Sequence, residues 1–201
     1  MRVIPLVLAF VLALPVVSTA ATFTEVVPTG NSLSTAVFLP SGTDTVFGTI
    51  SNAGEIDLFK FYLAAGGSLT ITATSHTLSF DTNLHFFNGA GNPLGANDDI
   101  SPSDFNSQLT FTLLPGFYFV AVAENNTNAL DASFATIQDN DLGVINPLGV
   151  LADWDAGGLT TDTYTLTFST PVNDPPGSGI PEPSTLVLAA AGLGALFIRR
   201  R

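Results

Sequence analysis

Hydrophobic and polar residues alternate with period two through the middle of the chain. Phe59, Phe61 and Leu63 alternate with Lys60 and Tyr62; Leu69, Ile71 and Ala73 with Thr70, Thr72 and Thr74; Leu109, Phe111 and Leu113 with Thr110 and Thr112; Tyr164, Leu166 and Phe168 with Thr163, Thr165 and Thr167. Leu84 and Phe86 flank His85, and Val120 and Val122 follow Phe117-Tyr118-Phe119. A two-residue period sends alternate side chains to opposite faces of a strand. Turn-forming residues punctuate the strands at Gly66-Gly67, Asn88-Gly89, Gly91-Asn92-Pro93 and Pro115-Gly116. No long central segment has helical spacing. Many short strands rich in Phe, Val and Thr predict an all-β fold, an antiparallel β-sandwich of jelly-roll-like form.

The pattern changes at both ends. Arg2 precedes an apolar run from Val3 to Val17, followed by the small residues Ser18-Thr19-Ala20-Ala21. That order is a secretory signal peptide over residues 1–21, with cleavage by signal peptidase expected after Ala20 or Ala21. At the other end, Asn173-Asp174-Pro175-Pro176-Gly177-Ser178-Gly179 reads as a linker, placed at 171–180. Pro181-Glu182-Pro183 comes next, then an uncharged stretch over 184–198, then Arg199-Arg200-Arg201. As a helix the stretch reaches about 22 Å, short for a bilayer core of about 30 Å unless the arginines snorkel or the bilayer thins. The one-sided arginines orient such a helix with its C-terminus cytoplasmic and the rest of the protein outside. The sandwich is thus expected to be flanked by an N-terminal signal helix and a C-terminal hydrophobic helix, with the domain itself over 22–170.

Pro181-Glu182-Pro183, the Gly/Ala-rich apolar stretch Ala189-Ala190-Ala191-Gly192-Leu193-Gly194-Ala195 and the terminal arginines together resemble the PEP-CTERM sorting signal. The resemblance covers about the last 22 residues and therefore concerns sorting alone. It implies recognition by an exosortase-type peptidase at the inner membrane, removal of the helix, and transfer to the cell surface or beyond, often in biofilm-forming Gram-negative bacteria. A disposable hydrophobic tail behind a polar site has the same logic as a GPI signal.

The middle also resembles a known family. Asp57-Leu58-Phe59-Lys60-Phe61 is followed in order by Gly67-Ser68-Leu69-Thr70-Ile71, Asp81-Thr82-Asn83-Leu84-His85-Phe86-Phe87, Gly91-Asn92-Pro93-Leu94, Asn97-Asp98-Asp99 and Pro115-Gly116-Phe117-Tyr118-Phe119-Val120. This order resembles bacterial pre-peptidase C-terminal domains, from about Glu25 to Phe168. The resemblance implies a compact, non-catalytic β-sandwich of a kind that assists secretion, binds matrix or binds calcium. The segment 125–161 departs from the pattern. It is long for a connection, and loops of that length are usually functional or disordered.

Charge narrows the picture. All 17 acids lie within residues 22–183, against Lys60 as the sole cation there, a formal −16. Such a surface repels nucleic acid and anionic headgroups and suits a soluble exterior or divalent cations. The chain has no cysteine, so its core, with or without a metal, must hold the domain.

Among candidate sites, Asp57, Asp81, Asn97, Asp98 and Asp99 offer oxygens in loops and at strand starts, as calcium requires, though Asp and Asn also serve ordinary turns. Asp139, Asp141, Asp153 and Asp155 form a second acidic group in the 125–161 segment. Trp154 is read either as a sugar-stacking contact or as an anchor on the core. The threonine alternation suits a solvated strand face and lacks the regular repeat of an ice-binding array. Catalysis has little to build on: His76 and His85 are the only histidines, and no nucleophile-elbow motif occurs. The expectation is an exported, non-catalytic surface or matrix protein associated with extracellular polysaccharide. Its alternatives are a glycan- or calcium-binding accessory module and, behind both, a secreted hydrolase whose paired carboxylates nothing singles out.

Overall fold

The computed structural model describes residues 20–26, 29–77, 80–139, 144–157 and 160–178. The expected signal peptide up to Thr19, the sorting motif and the 184–198 helix lie outside them. Among the described residues no helix is long and apolar enough to cross a membrane.

Among the described residues fourteen strands follow in chain order: β1 Ala21–Thr24, β2 Val37–Phe38, β3 Thr43–Ile50, β4 Asp57–Leu63, β5 Gly67–Ser75, β6 Thr82–Asn88, β7 Pro93–Asn97, β8 Ser107–Leu113, β9 Gly116–Glu124, β10 Thr127–Leu130, β11 Thr136–Asp139, β12 Val144–Ile145, β13 Asp153–Ala156 and β14 Asp162–Phe168. They form three sheets, ordered β1-β3-β14-β5-β8, β2-β4-β9-β6-β7 and β12-β11-β10-β13. The fold is all-β, as expected. It is antiparallel except at two edges, where β1 runs parallel to β3 and β2 parallel to β4.

The first two sheets pack face to face. Their alternating residues interdigitate in one core: Phe59 and Phe61 of β4, Leu69 and Ile71 of β5, Leu84 and Phe86 of β6, Val120 and Val122 of β9, Tyr164 and Leu166 of β14. Phe61 touches Phe86, Tyr118 and Phe168 at ring centroid distances of 6.1, 6.0 and 5.2 Å. The outer face of the first sheet carries the threonines, where Thr70 and Thr110 share a hydrogen bond across β5 and β8.

The described residues of the 125–161 segment are not a bare connection. They form the third sheet, which covers part of the outer face of the second. Leu58, Phe87, Phe119, Ala121 and Ala123 meet Ala129, Ile137 and Leu151 in a second core. Two strands of the second sheet are therefore buried on both faces. This is why Phe117-Tyr118-Phe119-Val120-Ala121-Val122-Ala123 is an unbroken apolar run rather than an alternating one.

The domain also outruns its expected boundary at residue 170. Val172 is fully buried in the sandwich core. Asn173 donates its backbone N–H to the Tyr62 carbonyl at 2.8 Å and accepts from the Ala64 N–H at 2.8 Å. At the other margin, the Ala21 N–H donates to the Gly42 carbonyl and the Gly42 N–H to the Val172 carbonyl. Both margins of the described domain thus meet at one end of the sandwich.

Candidate functional site

Strand direction sorts the charges by end. At the end where β3 finishes and β4 begins lie Glu25, Glu55, Asp57, Asp81, Asp98, Asp99, Glu124 and Asp162. At the opposite end the sandwich turns 39–42, 64–66, 89–92, 114–115 and 169–173 carry no charged residue themselves but are flanked by Asp44 and Asp174.

The structure divides the predicted cation ligands into two groups. Asp81 interacts electrostatically with Asp98, Asp99 and Glu124, and its Oδ2 accepts from the Asn125 amide at 3.1 Å. Burial, reinforced by Asp99 and Asp98, pushes its carboxyl up to about 6. Asn97 is committed to the loop. Its amide nitrogen donates to the Asp99 carbonyl and its oxygen accepts from the Gln108 N–H, both at 2.9 Å. The Asp98 carboxylate accepts from the Asp99 N–H at 2.9 Å. Turn chemistry therefore explains much of this loop. It leaves two oxygens over: Asp81 Oδ1 and Asp99 Oδ1 are buried without a hydrogen-bond partner.

Asp57 belongs elsewhere. It is fully buried at the start of β4, and its Oδ2 accepts from the Tyr164 hydroxyl at 2.7 Å. Burial, with Glu25 and Glu55 adding repulsion, pushes its carboxyl up to about 8. Glu25 is held in turn by the Thr29 hydroxyl and by the Thr49 N–H at 2.9 Å. Asp57 is thus a buried acid tying β4 to β14 and facing the segment after β1. Its neighbours are Glu25, Glu55 and Tyr164 rather than the Asp81 loop. Among the described residues, no three acidic or histidine side chains group as metal ligands.

The remaining candidates lie around the third sheet. His85 does point to the outer face of its strand, but the third sheet covers it completely. Its Nδ1 meets Gln138 Oε1 and its Nε2 the Thr127 carbonyl, both at 3.0 Å. Burial lowers its pKa to about 4, so it is neutral at physiological pH. Trp154 packs edge-on against His85 and Phe87, at 5.2 and 6.0 Å, and donates its indole N–H to the Asn31 carbonyl at 2.7 Å. Its polar atom and ring edge fasten the third sheet to the segment before β2. Asp153 and Asp155 share β13 with it, while Asp139 ends β11. Asp141 lies outside the described residues. His76 is exposed, its ring bridging the Thr163 and Thr165 hydroxyls of β14.

A further cluster was not singled out from the sequence. Phe38, Lys60, Tyr62 and Phe117 gather on the outer face of the second sheet. Cross-strand register brings them together: Phe38 opposes Lys60, and Tyr62 opposes Phe117. The Lys60 ammonium stands 4.9 Å from the Phe117 ring centroid and 5.4 Å from that of Phe119. Lone aromatics on the solvated side of alternating strands were the available signal.

Comparison with known proteins bears on this architecture. Residues 55–124 match the bacterial pre-peptidase C-terminal domain. Residues 179–201 match the PEP-CTERM protein-sorting motif. The first match runs from just before β4 to the end of β9. It leaves out β1, β3 and β14 of the first sheet, β2 of the second and the whole third sheet. Among solved structures, the chain is similar to the pre-peptidase C-terminal domain of a collagenase from Bacillus anthracis, with 12% identity over 66% of this chain and 93% of that one and a TM-score of 0.41. It is also similar to a periplasmic inhibitor of g-type lysozyme from Aeromonas hydrophila, with 13% identity over 75% of this chain and 96% of that one and a TM-score of 0.37. A search of curated proteins gave no match. The sorting motif marks an exported protein whose C-terminal tail anchors it in the membrane before an exosortase-type peptidase processes it.

Proposed function

We propose that this chain is a non-catalytic protein of the cell surface or extracellular matrix, delivered by its sorting motif and associated with the exopolysaccharide of a biofilm. The observation that carries the reading is a sorting motif behind a compact β-domain whose titratable groups serve its packing. His85 is sealed between sheets, Asp57 is locked to Tyr164, and the exposed His76 bridges two threonine hydroxyls of one strand. The test is the intact mass of the mature protein from its native host and from a strain lacking the sorting peptidase, together with fractionation of cells and matrix. Expected are termini near Ala21 and within 181–184, a retained tail in the mutant strain, and mature protein in the matrix fraction. A mature mass that keeps Leu186 to Arg201 in both strains, or mature protein that stays free in the medium, overturns it.

The orphaned oxygens of Asp81 and Asp99 favour calcium as an accessory ligand. Two carboxylates are too few for an ion that takes six to eight oxygens, so such a site would draw the remainder from backbone carbonyls and water. Millimolar calcium is expected to raise the melting temperature of the wild-type chain by a few degrees and to leave Asp81→Asn/Asp99→Asn unmoved. An equal response from both proteins, or none from either, removes calcium from the reading.

A further inference from the structure

Among the described residues the three sheets end in six edge strands, and five of these are protected. β2 and β12 have two residues each, and β1 has four with a register break against β3. β7 opens on Pro93, and β13 carries Asp153 and Asp155. Short length, irregular register, proline and charge are the usual defences of a strand edge. β8 has none of them. It is seven residues long, pairs with β5 without a break, and contains neither charge nor proline from Ser107 to Leu113. Among the described residues no strand pairs with its other side. Two contacts show which backbone groups face that side. The Gln108 N–H donates to Asn97 Oδ1 at 2.9 Å, away from β5, and the Thr70 N–H donates to Ser169 Oγ at 2.9 Å, away from β8. Backbone groups alternate sides along an antiparallel strand, so those of Thr110 and Thr112 also face outward. The Gln108 N–H is capped, whereas Thr110 and Thr112 present theirs to solvent. The core side is unfinished too: Leu109 and Phe111 are only half-buried at the margin of the sandwich core.

Self-complementarity and charge decide the occupant. Phe105 stands just before the strand, 49% exposed, and Leu114 just after it, 78% exposed. An antiparallel strand of the same sequence, centred on Thr110, answers each of these features with another. Thr110 exchanges both backbone bonds with its counterpart, and each Thr112 N–H reaches the other copy's Gln108 carbonyl, which leaves the Asn97 cap in place. Leu109 comes opposite Phe111, and Leu114 arrives at Asn106, next to Phe105. Each contact is made twice, as a two-fold interface requires. The acids fit the same arrangement. β8 starts at the acid-rich end, where the Asp98 carbonyl and the Asp104 carboxylate bond residues 107 and 106, and it ends at the uncharged turn 114–115. Antiparallel pairing therefore sets the acid-rich end of each copy beside the uncharged turn of the other, whereas parallel pairing would set acids against acids. We infer that β8 is the seam of a two-fold dimer, in which the first sheets of two copies join into one continuous sheet.

The test uses the full-length chain in mild non-ionic detergent, with far-UV circular dichroism to confirm that each variant is folded. Sedimentation equilibrium is expected to show a dimer. Thr110→Glu, at an exposed position, sets two carboxylates face to face on the two-fold axis and should raise the dissociation constant about tenfold or more. Each copy has a formal −16 over residues 22–183, so the dimer should tighten as salt rises from about 0.05 to 0.3 M and screens the two domains from each other. The chain has no cysteine, so single substitutions report position cleanly. Opposed residues of a hydrogen-bonded pair lie about 5.5 Å apart, so a short thiol-specific crosslinker should join Thr110→Cys chains about tenfold faster than Thr167→Cys chains. Thr167 is exposed on the same face, but on a central strand. A monomeric wild type, species larger than a dimer, weakening by salt, or equal crosslinking at the two positions overturns the inference. So does a folded Thr110→Glu chain that associates as tightly as wild type, which would place the contact on the tail or another face. If Thr110→Glu does not fold, the crosslinking comparison decides. The matrix reading does not depend on the outcome.

Discussion

Asp57→Asn is expected to make the protein more stable at alkaline pH, by on the order of 3–5 kcal/mol above pH 8. The sign follows from the direction of the shift. Burial raises the folded-state carboxyl from 3.8 to about 8, so the folded protein holds this proton more tightly than the unfolded chain does. Stability from this group is complete below about pH 4 and is lost as pH rises towards 8. Asparagine keeps an oxygen to accept from the Tyr164 hydroxyl and carries no charge to repel Glu25 and Glu55. The gain should shrink to within about 1 kcal/mol near pH 4, where the wild-type acid is already neutral. Urea denaturation of both proteins at pH 4, 6 and 8.5 measures it. Asp81 contributes in the same direction as Asp57 and His85 in the opposite one, since His85 loses stability as pH falls towards 4. Both remain in the variant, so the difference between the two curves isolates Asp57. A difference that is flat across the range, or a variant weaker at pH 8.5, would show that the carboxylate is not held as a buried acid.

Gly48→Ala is expected to cost about 3 kcal/mol or more, near the upper end of what overpacking does. Gly48 lies opposite Tyr164 in the β3–β14 ladder, and a Cβ built on it falls 2.2 Å from both Cζ and Oη of that ring. The ring has nowhere to go. Tyr164 is fully buried, its hydroxyl is committed to Asp57, and burial with the neighbouring acids holds its phenol neutral well above the usual range. Removing the ring should relieve the clash, so Tyr164→Ala costs much less in the Gly48→Ala background than in wild type. A double-mutant cycle by urea unfolding reads this coupling. A Gly48→Ala protein within 1 kcal/mol of wild type, or additive effects, would mean that the two chains adjust more freely than their packing indicates.

Much of the sandwich was legible because alternation is a local signal. Phe59-Lys60-Phe61 and Leu69-Thr70-Ile71 each state which residues face the core without reference to the rest of the chain. The third sheet was not legible in that way. Its strands are short, from two to four residues, and carry no clear alternation, as in Asp153-Trp154-Asp155. Two of them add one apolar anchor each, Ala129 and Ile137, to a face supplied by other strands. The clue lay in β9, where seven consecutive apolar residues require cover on both sides. Of the five candidate ligands, Asp81 lies near Asp98 and Asp99, while Asp57 faces Glu25, Glu55 and Tyr164. Asp57 also opens a strand at the same end, but which neighbour it faces depends on where β14 enters the first sheet. Lys60 stood out as the lone cation, yet the rings around it come from three strands whose order the sequence does not state.

β14 is the last strand of the sandwich to be synthesised, yet it occupies the middle of the first sheet, between β3 and β5. Until residues 162–168 have been exported, β3 and β5 have no strand to join them, and half the hydrogen-bonding groups of each lack partners. The sheet therefore cannot close on a chain that is still largely inside the cell. Contacts of such long sequence separation form slowly, which prolongs the interval in which the chain remains threadable. A domain assembled around its final strand therefore completes its first sheet only once residues 162–168 are available.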